Sequence, residues 1–218
     1  MIPLLHDFTD ATVLVFGGGP VGARKARRFA CEARVIVVSP TFGDRDFGGA
    51  ELIRALPAPE DAADWLERAA PALAVAATDD AAINEAVADA SRERGILVNR
   101  ADRSGERDAG SVVVPATVRD DPVVVSIATG GTAPALSKHL RQELEETLDG
   151  AGEMARVCAG LREELKDRNV PAERRRSVVT DVVNSPDLWT ALRTGTSNCP
   201  QVIEDVLADE LSTGGERP

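Results

Sequence analysis

Three glycines spaced Gly17-x-Gly19-x-x-Gly22 stand directly behind an apolar run, residues 12–16, and open a stretch in which Val21, Ala26, Phe29 and Ala30 recur at helical spacing. A strand, a glycine turn and a helix in that order can hold a pyrophosphate. One glycine makes the turn, one lets the backbone approach the phosphates, one lets the helix pack close, and the helix N-terminus favours the anion. Dinucleotide binding is therefore favoured over a merely glycine-rich turn. The carboxylate expected about 20 residues further on, gripping a ribose hydroxyl, is missing: the second apolar run, residues 34–38, ends in Ser39-Pro40-Thr41. The hydroxyls of Ser39 and Thr41 or the backbone at Pro40 are left to replace it, and the choice between NAD and NADP stays open. A second set of chemically able side chains follows Asn99, where Arg100, Asp102, Arg103, Glu106, Arg107 and Asp108 crowd one loop. By residue type alone each is a solvated loop residue, and Asn99 is either a strand-end cap or a positioning group.

The elements that must position these groups alternate. After the run 34–38 come a strand at 51–56, a helix at 61–69 and a buried strand at 73–77. Thr78 is then expected to cap a helix with Asp79 and Asp80 in its first turn and Ile83, Ala86, Val87 and Ala90 on its inner stripe; Gly95 ends it before a strand at 96–98. Strands alternating with helices over about 100 residues predict an α/β, Rossmann-type parallel sheet. Beyond Asn99 the pattern predicts two short strands, 112–114 and 123–127, split by the turn Arg119-Asp120-Asp121-Pro122. A helix opens at Gly130-Gly131-Thr132-Ala133-Pro134, with Thr132 as cap, Pro134 in the tolerated first turn and Leu136, Leu140, Leu144 and Leu148 along one face, as core or dimer interface. From Gly150 the pattern is helical, broken at Pro171, Pro186 and Pro200, with an acidic tail at 212–218. The expected organisation is a nucleotide-binding domain over 1–110, a small α+β segment over 111–149 and a helical C-terminal domain over 150–218.

Composition narrows the partners. The 218 residues carry 36 Asp+Glu against 25 Lys+Arg, a formal net charge of −11, which repels a phosphate backbone and argues against general nucleic-acid binding. Only Lys25, Lys138 and Lys166 are lysines, and this acidic, arginine-over-lysine composition suggests a high-salt host. No apolar run approaches the roughly 20 residues that span a bilayer, and residues 1–7 lack a secretory pattern, so a cytoplasmic protein without membrane partners is expected. Cys31, Cys158 and Cys199 are too far apart for a metal knuckle, and neither His6 nor His139 has a ligand at metal-binding spacing, so no structural metal is expected.

Four blocks together resemble one family, the precorrin-2 dehydrogenases, found alone or as the N-terminal module of siroheme synthase. They are the stretch 15–26 around the glycines, Ala76-Ala77-Thr78-Asp79-Asp80, Leu97-Val98-Asn99-Arg100-Ala101-Asp102, and Ser126-Ile127-Ala128-Thr129-Gly130-Gly131-Thr132-Ala133-Pro134. They stand in the family's order over roughly the first 150 residues, and the second and fourth are far more specific than the glycines. The resemblance implies NAD-dependent oxidation of precorrin-2 to sirohydrochlorin on a homodimer, the segment 111–149 serving dimerisation; some members also insert ferrous iron. It implies Asp102 as the catalytic acid/base, and cofactor contacts from Pro20 and Val21, from Pro40 and Thr41, and from Thr78 and Asp79, which join Gly17, Gly19, Gly22 and Ser39 read from the turns themselves. Pro20 has no N–H to donate, so this turn offers one backbone donor fewer than relatives with Asp or Ala there.

A tetrapyrrole with eight carboxylates calls for cations and free backbone donors. Asn99, Arg100 and Arg103 with the Gly130-Gly131-Thr132 turn are the candidate substrate contacts, joined by Arg107, Arg119 and Lys138, each of which is by itself an ordinary surface cation. The cluster Arg24, Lys25, Arg27 and Arg28 is read as a solvated helix face. No methyltransferase module is expected within this chain. Two alternatives stand beside this reading: a dehydrogenase of another small substrate, and a nucleotide-sensing regulatory module, which would be expected to keep the acidic residue after the second strand.

Overall fold

The computed structural model describes residues 2–103 and 110–195. The chain divides into two compact units, one of residues up to Val114 together with Gly130–Thr132, the other of Pro115–Thr129 and residues from Ala133 onward.

The first unit is a parallel sheet. Its strands are β1 (Thr12–Phe16), β2 (Arg34–Ser39), β3 (Glu51–Arg54), β4 (Leu73–Ala76) and β5 (Leu97–Arg100), in the order β3-β2-β1-β4-β5. Side chains alternate across the two faces with period two, and both faces are apolar. Val13, Val15, Val35, Val37, Leu73 and Val75 pack with Ala23 and Ala26 of α1 (Pro20–Phe29). On the opposite face Leu14, Phe16, Ile36, Val38, Ala74 and Ala76 meet Ala62 and Leu66 of α2 (Ala62–Ala69) and Ile83 and Val87 of α3 (Ala81–Glu93). Helices on both faces leave the C-terminal strand ends as the open edge of the sheet. Strand order reverses direction at β1, between β2 and β4, which is where sheets of this type bind ligands.

Two details depart from the sequence reading. The helix after β4 is capped by Asp80, whose Oδ1 accepts from the N–H groups of Ala82 (2.8 Å) and Ile83 (3.3 Å). Thr78 stands two residues too early to do this; its hydroxyl lies inside the loop, within hydrogen-bond reach of the Asp80 carbonyl (3.0 Å) and of Asn84 Oδ1 (2.8 Å). Residues 112–114 form no strand. Ser111 makes a single parallel bridge to Val98, and the Val112 N–H donates to the Val98 carbonyl (2.8 Å).

The second unit opens with an antiparallel hairpin, β6 (Ala116–Asp120) and β7 (Val123–Ile127), so Arg119 and Asp120 belong to a strand and the turn is tighter than the sequence suggests. Then come α4 (Pro134–Thr147), α5 (Ala151–Asp167), α6 (Ala172–Val183) and α7 (Pro186–Thr194). Pro134 and Pro186 occupy first turns and Pro171 precedes α6, positions that prolines tolerate. The N-cap of α4 is Ala133, without a side-chain bond, and not Thr132. Met154, Leu161, Leu165, Val178, Val182 and Leu188 form the core of α5–α7. The hairpin is tied to them: the Gly152 N–H donates to Asp120 Oδ2 (2.8 Å), and a Cβ on Gly152 would lie 2.4 Å from the Asp121 carbonyl oxygen. Hairpin and helices thus share one unit, where the sequence placed boundaries after 110 and 149. The leucine stripe of α4 is not core, since Leu136 and Leu140 are exposed. Pro200, Cys199 and the acidic tail lie outside the described residues.

Candidate active site

A cleft of about 500 Å³ lies at the C-terminal edge of the sheet, walled by the turns after β1, β2 and β4. The glycines divide the work of its floor. Gly17 has φ +112°, and a Cβ there would lie 2.3 Å from the Ala77 carbonyl oxygen. A Cβ on Gly22 would lie 1.8 Å from the Gly17 carbonyl oxygen, so α1 packs on the turn only without a side chain. Gly19 differs, with extended backbone (φ −75°, ψ −175°) that any residue adopts, and no atom lies within 4 Å of a Cβ built on it. Neither strain nor internal packing requires glycine there, and the open space it leaves fits a ligand that approaches the backbone. The first intrahelical bond of α1 runs from the Ala23 N–H to the Gly19 carbonyl (3.0 Å), so the N–H groups of Val21 and Gly22 have no intrahelical acceptor and Pro20 contributes none. With the helix dipole, this turn suits a pyrophosphate.

The wall after β2 is shaped by Ser39, which is buried and donates its hydroxyl to the Thr41 carbonyl (2.8 Å). It therefore folds the turn, while Pro40 and Thr41 are the exposed residues that face outward. Two guanidiniums brace the same turn: Arg45 Nη1 donates to the Phe42 carbonyl (3.5 Å) and Arg54 Nη1 to the Pro40 carbonyl (3.3 Å). Arg45 also lines the cleft. On the far wall, Thr78 is held by Asn84, which is almost wholly buried on α3: Asn84 Oδ1 accepts from the Thr78 N–H (3.1 Å) and its Nδ2 donates to the Thr78 carbonyl (2.9 Å). Asp79 is exposed beside it and lines the cleft.

One strand over, β5 pairs with β4 through Arg100 opposite Ala76, and the Ala101 N–H donates to the Ala76 carbonyl (2.9 Å). Asp102 follows at the same edge. Both its oxygens are taken by one guanidinium: Arg100 Nε donates to Oδ1 (2.9 Å) and Arg100 Nη2 to Oδ2 (2.7 Å). Arg100 Nη1 donates to Glu85 Oε2 of α3 (2.7 Å), which also accepts from Arg103 Nη2 (2.8 Å). The hydrogen bonds from Arg100 hold the Asp102 carboxyl below the usual carboxylate range, against a smaller opposing effect of burial. Arg100 likewise lowers Glu85, and Asp102 above all, with Glu85, raises the Arg100 guanidinium. Asp102 is thus an ionised acceptor throughout the neutral range.

Sequence reasoning placed Arg100 among the substrate contacts, but its side chain is only 5% exposed and its donors point to Asp102 and Glu85. The signal for this was faint, because an arginine two residues before an aspartate at a strand end looks like loop charge. Asn84 and Glu85 were missed for a similar reason: on α3 they read as polar-face residues. Arg103 stays half-exposed, paired with Glu85. Asn99 is buried, its Nδ2 donates to the Val112 carbonyl (2.8 Å), and its Oδ1 has no partner among the described residues. Gly130 and Gly131 both have positive φ and group with the first unit, as does Thr132. Arg119 and Lys138 belong to the second unit, and Glu106, Arg107 and Asp108 lie outside the described residues. Among the described residues no three His, Cys, Asp or Glu side chains cluster as a metal cage, and no helix is long and apolar enough to cross a membrane.

Residues 4–116 match a family model described as putative NAD(P)-binding. Over 196 residues the chain is 30% identical to a precorrin-2 dehydrogenase of Methanosarcina barkeri, covering 86% of this chain and 85% of that one. The chain belongs to the precorrin-2 dehydrogenase family. It is also 31% identical over 216 residues to a siroheme synthase of Stutzerimonas stutzeri, and 36% identical over 194 residues to one of Chromobacterium violaceum. It spans only 44% and 39% of those two relatives' lengths. A solved precorrin-2 dehydrogenase, SirC, shares the fold, with a TM-score of 0.68 at 22% identity over 95% of this chain and all of that one. The glycine cleft lies within the span that matches the NAD(P)-binding family model.

Proposed function

We propose that the chain catalyses NAD-dependent oxidation of precorrin-2 to sirohydrochlorin, as a homodimer in the cytoplasm. The observation that carries this is the ionised, partly exposed Asp102 at the sheet edge one strand from the dinucleotide cleft. The reaction removes two electrons and two protons from the macrocycle, as a hydride and a proton. The nicotinamide ring, when bound, supplies the hydride acceptor. The protein's part is to hold the dinucleotide and take the proton. Gly19 and the α1 N-terminus admit the pyrophosphate, Thr41 and Pro40 face the adenosine end, and Thr78 and Asp79 face the nicotinamide end. The Asp102 carboxylate accepts the proton that the macrocycle releases as the hydride leaves and the new double bond forms. Asn99 Oδ1, a buried acceptor without a partner among the described residues, is suited to a pyrrole or amide N–H, and Arg103 with the Gly130–Thr132 turn to the substrate's carboxylates.

Insertion of ferrous iron is a second activity of the same site in this reading, with the iron as substrate and Asp102 receiving the pyrrole protons. Exposed Leu136 and Leu140 on α4 support the homodimer. Mutation separates the roles: Asp102→Ala is expected to abolish sirohydrochlorin formation while the protein still binds NAD, and retained turnover would remove Asp102 from the mechanism.

A further inference from the structure

We propose that Arg100 is a positioning residue: anchored by Glu85 of α3, its guanidinium fixes the orientation of the Asp102 carboxylate at the end of β5. The proposal rests on Asp102 as the proton acceptor. It goes further in saying what aims that acceptor, and it moves Arg100 from the substrate's partners to the enzyme's own scaffold.

The geometry is that of a fork. Two nearly parallel donors of one planar group meet both oxygens of Asp102 at 2.9 and 2.7 Å, which removes rotation about the carboxylate's own axis. The third donor, at 2.7 Å from Glu85, keeps the guanidinium from following Asp102 outward. Exposure gives the clamp a direction: the Arg100 side chain is 5% exposed and that of Asp102 24%. The clamping guanidinium is the buried partner and the carboxylate the more exposed one, and each Asp102 oxygen keeps a lone pair that Arg100 does not occupy. Among the described residues, the groups around the pair are Arg100 from β5, Asp102 and Arg103 from the loop behind it, and from α3 Asn84, Glu85 and Arg92, the last acting on Glu85. Arg100, Arg103, Glu85 and Asp102 sum to zero charge. A proton taken by Asp102 unbalances the set beside a buried guanidinium, so the clamp makes Asp102 a well-aimed acceptor that releases its proton readily. Asn84 links this corner to Thr78, so α3 positions both the proton acceptor and the nicotinamide-end loop.

The test is the pH dependence of kcat/KM for precorrin-2 oxidation in Arg100→Gln, Arg100→Lys, Glu85→Gln and Asp102→Asn, each first shown to bind NAD. Without the opposite charge the acid limb of the profile is expected to move up by about one to three pH units in Arg100→Gln. Arg100→Lys, which restores the charge without the fork, should fall between that variant and the parent. Glu85→Gln keeps the Arg100–Asp102 pair and should leave the limb where it is or lower it, whereas a generally loosened strand end would move all variants alike. If Arg100→Gln does not fold, the contrast between Arg100→Lys and Glu85→Gln decides. An inactive Asp102→Asn with unmoved limbs in both Arg100 variants overturns the clamp. An active Asp102→Asn overturns the proton-acceptor role itself, and the clamp with it.

Discussion

At the scale of single residues, two glycines of one motif should answer substitution in opposite ways. A methyl group on Gly22 would overlap the Gly17 carbonyl, which can yield only by moving the turn. Gly22→Ala should cost roughly 1–3 kcal/mol of stability, read as a lower thermal midpoint without ligand. Gly19→Ala should leave that midpoint unchanged, because nothing surrounds its Cβ and its φ suits alanine, yet weaken NAD at least about tenfold, or 1.4 kcal/mol, by calorimetry. Equal losses of stability in the two variants would contradict this division. Asp102 carries a pH signature in stability too. Its carboxyl is lowered in the folded state, so its pairing stabilises the fold above the unfolded value of about 3.9 and is lost as pH falls through the lowered one. Arg100→Gln should flatten the fall of the melting temperature on acidification. The motif glycines were legible in the sequence because their spacing expresses backbone sterics. The clamp was not, because it joins residues 85, 100 and 102 through a helix–strand packing that no local pattern encodes.

Among the elements, the strands and helices of the first unit followed from period-two and period-3.6 patterns, which buried faces enforce. What the pattern misplaced were the ends. Thr78 and Asp80 are both good caps by type, and only the three-dimensional loop decides for Asp80, because Thr78 is held by Asn84. Asp80→Ala should therefore cost about 1 kcal/mol by denaturant unfolding, a loss that Thr78→Val would not reproduce through capping. Residues 112–114 have strand-forming side chains, but their backbone finds only the single bridge at Ser111, and the ladder forms after Pro115. The end of β2 has a functional consequence. With no carboxylate there to repel a ribose 2′-phosphate, and with Arg45 and Arg54 bracing the turn, NADP should bind within about tenfold of NAD. Titration of both dinucleotides checks this, and a preference for NAD of about a hundredfold or more would mean that another group excludes the phosphate.

On the scale of the whole molecule, a net charge of −11 surrounds the site proposed here for a multiply anionic macrocycle. Screening should ease that encounter, so kcat/KM for the tetrapyrrole should rise with salt while kcat changes little; a fall with salt would mean that local cations dominate the encounter. The strand and helix order of the Rossmann-type unit was legible in the sequence, whereas its element ends and buried polar contacts were not. The grouping of the β6–β7 hairpin with the C-terminal helices was not, because it depends on the Asp120–Gly152 contact across 32 residues of chain. The proposed reaction is read directly in an anaerobic absorbance measurement of the purified protein with enzymatically made precorrin-2 in high salt, with and without NAD. The sirohydrochlorin spectrum is expected only when NAD is present, with conversion to siroheme faster than in a protein-free control once ferrous iron is added. A folded, NAD-binding protein that leaves the precorrin-2 spectrum unchanged would contradict it.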